Sequence, residues 1–166
     1  MLEIDSPVSA FSYAFLDLAD EHQGHSTSVG KSHPSFVSCN AKEPWSEYAA
    51  EPPAGQVNFL NSETTSLFEG IFEEVSSRTS SHYISGGGDE INQACYESDP
   101  AFVEALKASG KTYDEALQHF VQKMHDAIRA QGKQPLVWEE LVLQHDIGLR
   151  ETETLVSCLS PVVFPS

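Results

Sequence analysis

The chain has 166 residues, 40% of them hydrophobic, which is enough apolar material for one compact core of ordinary size and excludes two. Nine lysines and arginines stand against 25 aspartates and glutamates, a formal charge of -16 that repels phosphate backbones and anionic lipids, so neither nucleic acid nor membrane is expected as a partner. No apolar run approaches the ~20 residues that span a bilayer, and the opening Met1-Leu2-Glu3-Ile4-Asp5 lacks the basic start of a secretory signal. The cysteines, Cys39, Cys95 and Cys158, have none of the CxxC spacing of a structural zinc site, and their odd number leaves one thiol over if the other two pair.

In chain order, residues 2–4 read as a short strand closed by Asp5-Ser6-Pro7. The apolar residues of 8–18 fit neither a helical nor an alternating template. Residues 24–53 are rich in Gly, Ser, Pro and His, which predicts loop, and a loop of that length in a compact domain points to function. Beyond Asn61 the periodicity turns helical: Leu67, Phe68, Ile71, Phe72 and Val75 share one face, with Asn61 or Ser62 available as cap. Residues 82–85 form a strand candidate that ends at Gly86-Gly87-Gly88, glycines that let the backbone turn sharply beside Asp89-Glu90.

Asp99-Pro100 caps and starts the next helix, which has Phe102, Val103 and Leu106 on its apolar side and Gly110 at its end. Thr112 and Glu115 have the spacing of a capping box, and Leu117, Phe120, Val121, Met124 and Ile128 make a stripe that stops at Gly132. Residues 135–138 predict a buried-type strand followed at once by Glu139 and Glu140. A short helical or irregular stretch over 141–149 and a last strand over 154–158 complete the pattern. Alternation of strand and helix argues for an α/β fold with parallel strands. Polar residues just after strands argue for a (β/α)8 TIM barrel, of which about four strands, roughly half, are present. An open flavodoxin-like sheet is the alternative.

Asp89-Glu90 is the center of the chemical case. Adjacent carboxylates repel when both are ionised, which favours one protonated acid beside one ionised group, the pairing that glycosidic cleavage needs. An acidic dipeptide alone is as readily a solvated turn or a helix cap. Its surroundings, Tyr83-Ile84-Ser85-Gly86-Gly87-Gly88-Asp89-Glu90-Ile91-Asn92 followed by Cys95-Tyr96, resemble the glycine-glycine-Asp-Glu signature of glycoside hydrolase family 20, the β-N-acetylhexosaminidases. Glu3-Ile4-Asp5-Ser6-Pro7 and Gly24-His25-Ser26 look like two halves of that family's Asp-x-Pro-Gly-His segment, and Ser32-His33-Pro34 follows in order. Trp45 with Glu51-Pro52-Pro53-Ala54-Gly55-Gln56 resembles the fungal branch, and Val137-Trp138-Glu139-Glu140 resembles the strand that supplies an aromatic wall.

The resemblance implies a substrate-assisted, retaining mechanism in which the sugar's own acetamido oxygen attacks the anomeric carbon. Glu90 would be the general acid and Asp89 would orient the acetamido N–H. His25, with Asp5 in the same segment, would support the acid, and Trp138 would stack on the sugar; the plainer readings are a loop histidine and a core tryptophan. Cys39 and Cys95 would form a disulfide, which needs an oxidising compartment and leaves Cys158 unpaired. No cofactor and no metal are implied, and the expected partners are glycans ending in N-acetylglucosamine or N-acetylgalactosamine, or chito-oligosaccharides. A secreted, vacuolar or lysosomal location is expected for a full-length relative.

Residues 8–23 separate Pro7 from Gly24, which are adjacent in the family pattern, and read as an insertion; 157–166 read as an atypical tail. The whole of 1–166 then reads as a partial catalytic domain, expected to turn substrate over weakly or not at all because an incomplete barrel exposes strand edges. A sugar-binding relic of the same barrel is the competing reading. A metal-binding acidic domain is another, although no EF-hand or HExxH spacing is present.

Overall fold

The computed structural model describes residues 26–145, 147, 148 and 155–157. Its elements, in order, are α1 (Thr27–Ser32), β1 (Val37–Ser38), β2 (Gln56–Val57), α2 (Ser62–Arg78), β3 (Tyr83–Ser85), α3 (Gln93–Glu97), α4 (Pro100–Ser109), α5 (Tyr113–Ala130), β4 (Gln134–Trp138), α6 (Glu139–Leu143) and β5 (Leu155–Ser157), with single 3-10 turns at Pro34–Phe36 and Trp45–Glu47. The expected strand at 2–4, the proposed insertion 8–23, and the tail after Ser157 with Cys158 lie outside the described residues.

The helices start where side chains satisfy their first amides. The Asn61 side chain, rather than Ser62, accepts from the N–H groups of Glu63 and Thr64 at 2.9 and 3.4 Å and so opens α2. Asp99 does the same for Ala101 and Phe102 at the head of α4, with Pro100 in the first turn, and Gly110 ends that helix at φ 68°. At α5, Thr112 Oγ1 accepts from Glu115 N while Glu115 Oε2 accepts from Thr112 N, a complete capping box.

All five apolar stripe residues of α5 are buried, and they meet Phe68 and Phe72 of α2 and Ile84 of β3 in one hydrophobic core. Phe59 stands among the rings of Tyr96, Phe102 and Tyr113, with centroids 5.0 to 5.5 Å away in tilted and edge-on arrangements. Two helical faces are narrower than their sequences suggest. Leu67 is 36% exposed and Ile71 half-buried on α2, and on α4 only Phe102 is buried while Val103 and Leu106 are half-buried. The reason is that each helix is covered along a single line of contact, so apolar residues at the stripe's edge reach solvent.

The strands form two sheets. β3, β4 and β5 pair in parallel in that order, with Ser85 opposite Leu136 and Val137 opposite Val156. The α/β fold with a parallel sheet is therefore present. β4 departs from the expected uniformly buried strand: Pro135 and Val137 are buried, while Gln134, Leu136 and Trp138 are half-buried, the alternation of a strand covered fully on one face.

The segment expected to be loop, 24–53, is more ordered than its composition suggested. It holds α1, the two 3-10 turns and β1, which pairs antiparallel with β2 through Val37–Val57 and Ser38–Gln56. Two-residue strands are too short for any periodicity to reveal them. A disulfide joins Cys39, just after β1, to Cys95 on α3 across 56 residues of sequence, with Cα atoms 5.5 Å apart. Closing a loop of that length restricts the unfolded chain and stabilises the fold by about 2–4 kcal/mol.

Candidate active site

The site grows out of the carboxyl end of β3. Ile84 anchors the strand in the core, and pairing with β4 continues beyond it: Gly86 N–H donates to Leu136 O at 2.7 Å and Trp138 N–H donates to Gly87 O at 3.2 Å. The backbone then turns through left-handed conformations, φ 71° at Gly87 and 108° at Gly88. A side chain cannot replace the hydrogen at Gly88, because a Cβ there would stand 2.0 Å from Leu141 Cδ1 on α6. Glycine is required at this position for both space and φ. Glu90 follows at φ 54°, a strained conformation for a residue with a side chain, and so one that its neighbours must hold.

Three hydrogen bonds hold it. The Glu90 N–H donates to Glu140 Oε2 at 2.8 Å. Gln56 Nε2 donates to Glu90 O at 3.1 Å, and Gln56 Oε1 accepts from Asn92 N–H at 3.0 Å. Gln56 is 0% exposed, so its amide has no water to turn to and spans the loop like a rung. Asn92 then starts α3, its side chain accepting from Ala94 and Cys95 N–H while donating to Glu47 O.

The same small antiparallel pair fixes both ends of this arrangement. β2 carries Gln56, and the turn after β1 carries Cys39, whose disulfide fastens α3. Tyr96 adds a third tie, donating from its hydroxyl to Val57 O at 2.9 Å. Burial, and after it the neighbouring Tyr113, pushes the Tyr96 phenol well above its ordinary pKa, so it remains a donor at any pH at which the fold survives.

The residues singled out from the sequence fall as follows. Asp89 and Glu90 are adjacent and half-buried at the end of β3. Trp138 is half-buried at the end of β4, its N–H donating to Gly87 O two residues before Asp89. Cys39 and Cys95 are bonded to each other. Asp5 and His25 lie outside the described residues.

Glu140 and Gln56 stand within stretches that resemble the family, but neither was assigned a role from the sequence. A glutamine set between Ala54 and Val57 in an apolar stretch was the available signal, since a polar side chain there must find partners. Among the described residues no three or more His, Cys, Asp or Glu side chains are grouped to hold a metal ion.

Adjacent carboxylates thus follow the carboxyl end of a parallel strand, and the neighbouring strand of the same sheet ends at Trp138. Residues 21–158 match the catalytic domain of glycosyl hydrolase family 20, and the chain belongs to that family. It is 30% identical over 133 residues to a β-hexosaminidase of Arthroderma benhamiae, covering 79% of this chain and 22% of that protein. It is 32% identical over 109 residues to the chitooligosaccharidolytic β-N-acetylglucosaminidase of Ostrinia furnacalis, covering 60% of this chain and 18% of that protein. Among solved structures, a Vibrio harveyi exo-β-N-acetylglucosaminidase in complex with N-acetylglucosamine superposes with a TM-score of 0.64 at 21% identity, over 83% of this chain and 21% of that one. The chain thus spans about a fifth of the length of the curated relatives it matches.

Proposed function

We propose that this chain carries the acid-bearing part of a β-N-acetylhexosaminidase active site, built on a partial (β/α)8 barrel with roughly half its strands. The observation that carries the reading is the placement of Asp89 and Glu90 together after β3, with the Glu90 backbone held by Gln56 and Glu140, in a member of family 20. Glu90 protonates the leaving glycosidic oxygen and afterwards activates water. Asp89 accepts from the acetamido N–H, aims the acetamido oxygen at the anomeric carbon, and stabilises the positive charge that forms. Trp138 supplies an apolar wall for the sugar face. His25 and Asp5 assist the acid, as their places in the family motif suggest.

The substrates are glycans with a terminal, non-reducing N-acetylglucosamine or N-acetylgalactosamine, and chito-oligosaccharides. The N-acetylglucosamine complex of the Vibrio harveyi relative and the chitooligosaccharidolytic relative of Ostrinia furnacalis support this class. The disulfide supports a secreted, vacuolar or lysosomal setting, where thiols oxidise. Residues 8–23 are an insertion and 157–166 an atypical tail on this reading.

The test separates holding from cleaving. The chain is titrated with an N-acetylglucosamine thiazoline, which mimics the cyclised intermediate, and assayed for nitrophenol release from the aryl N-acetylglucosaminide. Asp89→Asn should weaken thiazoline binding about 10- to 100-fold, the loss of a hydrogen bond to a charged group. Glu90→Gln should bind within about threefold of the parent and lose release. Thiazoline binding unaffected by Asp89→Asn would overturn the assignment. Binding by the parent chain with no release would favour a sugar-binding relic, the reading that a span of about a fifth of the relatives' length keeps open.

A further inference from the structure

Away from the acid loop, a cavity of about 310 Å³ lies between α2 and α5 and reaches the α4–α5 connection. It is lined by Lys111, His119 and Lys123 on the α5 side and by Ser62, Thr65 and Ser66 on the α2 side, with Phe59 and Leu60 as apolar lining; the Thr65 hydroxyl also donates to Asn61 O at 3.3 Å. Helical spacing explains the convergence. His119 and Lys123 are four apart on α5, and Ser62, Thr65 and Ser66 are three and four apart on α2, so each set projects from one face. We propose that this cavity binds a tetrahedral oxyanion, a phosphate or sulfate, either free or as the ester of a sugar-sized body.

The composition of the chain makes this cluster unexpected. Its nine lysines and arginines are dispersed among 25 acids, yet two of them and a histidine border one small cavity. Lys123 shares its charge with Glu69, Nζ to Oε1 3.3 Å. Lys111 has no carboxylate within ion-pair distance among the described residues. Burial first, then the charges of Lys111 and Lys123, lower the His119 pKa, with Glu69 opposing them, so at neutral pH the imidazole serves as a neutral donor and the lysines supply the charge. An anion that accepts from both lysines offsets their mutual repulsion, in competition with Glu69 at Lys123 and with the nearby Glu115 at Lys111.

A tetrahedral oxyanion matches the donor set better than a carboxylate. It offers three or more acceptor oxygens in different directions, and donors here come from two helices and a connection. The volume is at the low end for small-molecule sites and suits a free anion or a monosaccharide ester. None of the lining residues belongs to the acid loop or its anchors, so the proposal stands independently of the hydrolase reading.

The test is calorimetric titration of the full chain, at low ionic strength in chloride, with inorganic phosphate, inorganic sulfate and N-acetylglucosamine 6-phosphate. One-site saturable binding is expected, weakened about tenfold by Lys111→Gln and further by Lys111→Gln combined with Lys123→Gln. Glu69→Gln, which releases Lys123, should strengthen binding about threefold. Lys31→Gln, an exposed lysine outside the cavity, should change nothing. Equal affinity for phosphate and its sugar ester supports a free-anion site, and tighter ester binding supports a seat for the sugar body. Non-saturable uptake, or binding that ignores both lysine substitutions while the variants melt like the parent, rejects the proposal.

Discussion

The acid loop and the α2–α5 helix pair are built by opposite means. Each helix is specified by residues three to four positions apart and by a cap at its own start, and the pair is held by apolar side chains that exclude water. The loop from Gly86 to Asn92 has a local bond, Gly87 N–H to Ser85 Oγ at 3.3 Å, and is anchored by distant segments. Its anchors come from 34, 36 and 50 residues away and act through hydrogen bonds to backbone. Burial is non-directional and gives stability; hydrogen bonds are directional and give position. A general acid needs position more than it needs stability, so anchoring by directional hydrogen bonds suits the loop's use.

This contrast can be broken from either side. The largest expected loss of stability is on the helix side. Phe120→Ala removes a ring that packs near Phe59 and Phe68 at 6.3 and 6.2 Å between centroids, and should lower unfolding free energy by about 3–5 kcal/mol. Thiazoline affinity, measured where the variant is still folded, should stay near that of the parent. Gly88→Ala comes next, at about 2–5 kcal/mol from a close contact with Leu141 added to an unfavourable φ. Unlike the helix change it should weaken inhibitor binding in the folded fraction, because the turn that carries Asp89 and Glu90 must shift.

Gln56→Leu isolates the loop's own support. The side chain stays similar in bulk, but Glu90 O and Asn92 N–H lose their partner in a dry place, which should cost about 1–3 kcal/mol in denaturant unfolding. The informative quantity is the ratio: inhibitor affinity should fall more than in Phe120→Ala even though stability falls less. Were Gln56→Leu to cost as much stability as Phe120→Ala and leave affinity untouched, the glutamine would be an ordinary core residue and the contrast would collapse.

The same division decides what the sequence revealed. Caps at Asn61, Asp99 and Thr112, the α5 stripe and the strand-glycine-acid run were readable because their determinants are neighbours in the chain. β1 and α1 fall in the segment read as loop, and β2 was assigned no element, because elements of two to six residues carry too little pattern. Leu67 and Val103 fit their helical faces but sit at the rim, where coverage depends on what packs opposite. The acid pair was legible through its motif, whereas Gln56 and the use of Glu140 depended on which distant segments the fold brings together.

The smallest effect tests the local end of the comparison. At the start of α5 the Glu115 carboxyl is held below its ordinary pKa of 4.5, chiefly by the Thr112 N–H, then by the Thr112 hydroxyl, with Lys111 adding a little. A carboxyl whose folded pKa is depressed binds its proton less readily in the folded chain than in the unfolded one. Its stabilising contribution is therefore complete above the unfolded value and is lost as pH falls through the folded value. Glu115→Gln keeps an acceptor but removes the charge, so its melting temperature should lie slightly below the parent's at pH 7. The gap should close as the solution is taken below pH 4.5. Because the group is fully exposed, the gap should also shrink in high salt. A gap that persists into acid would mean that the glutamate acts through its shape alone, and that even this most local feature owes nothing to charge.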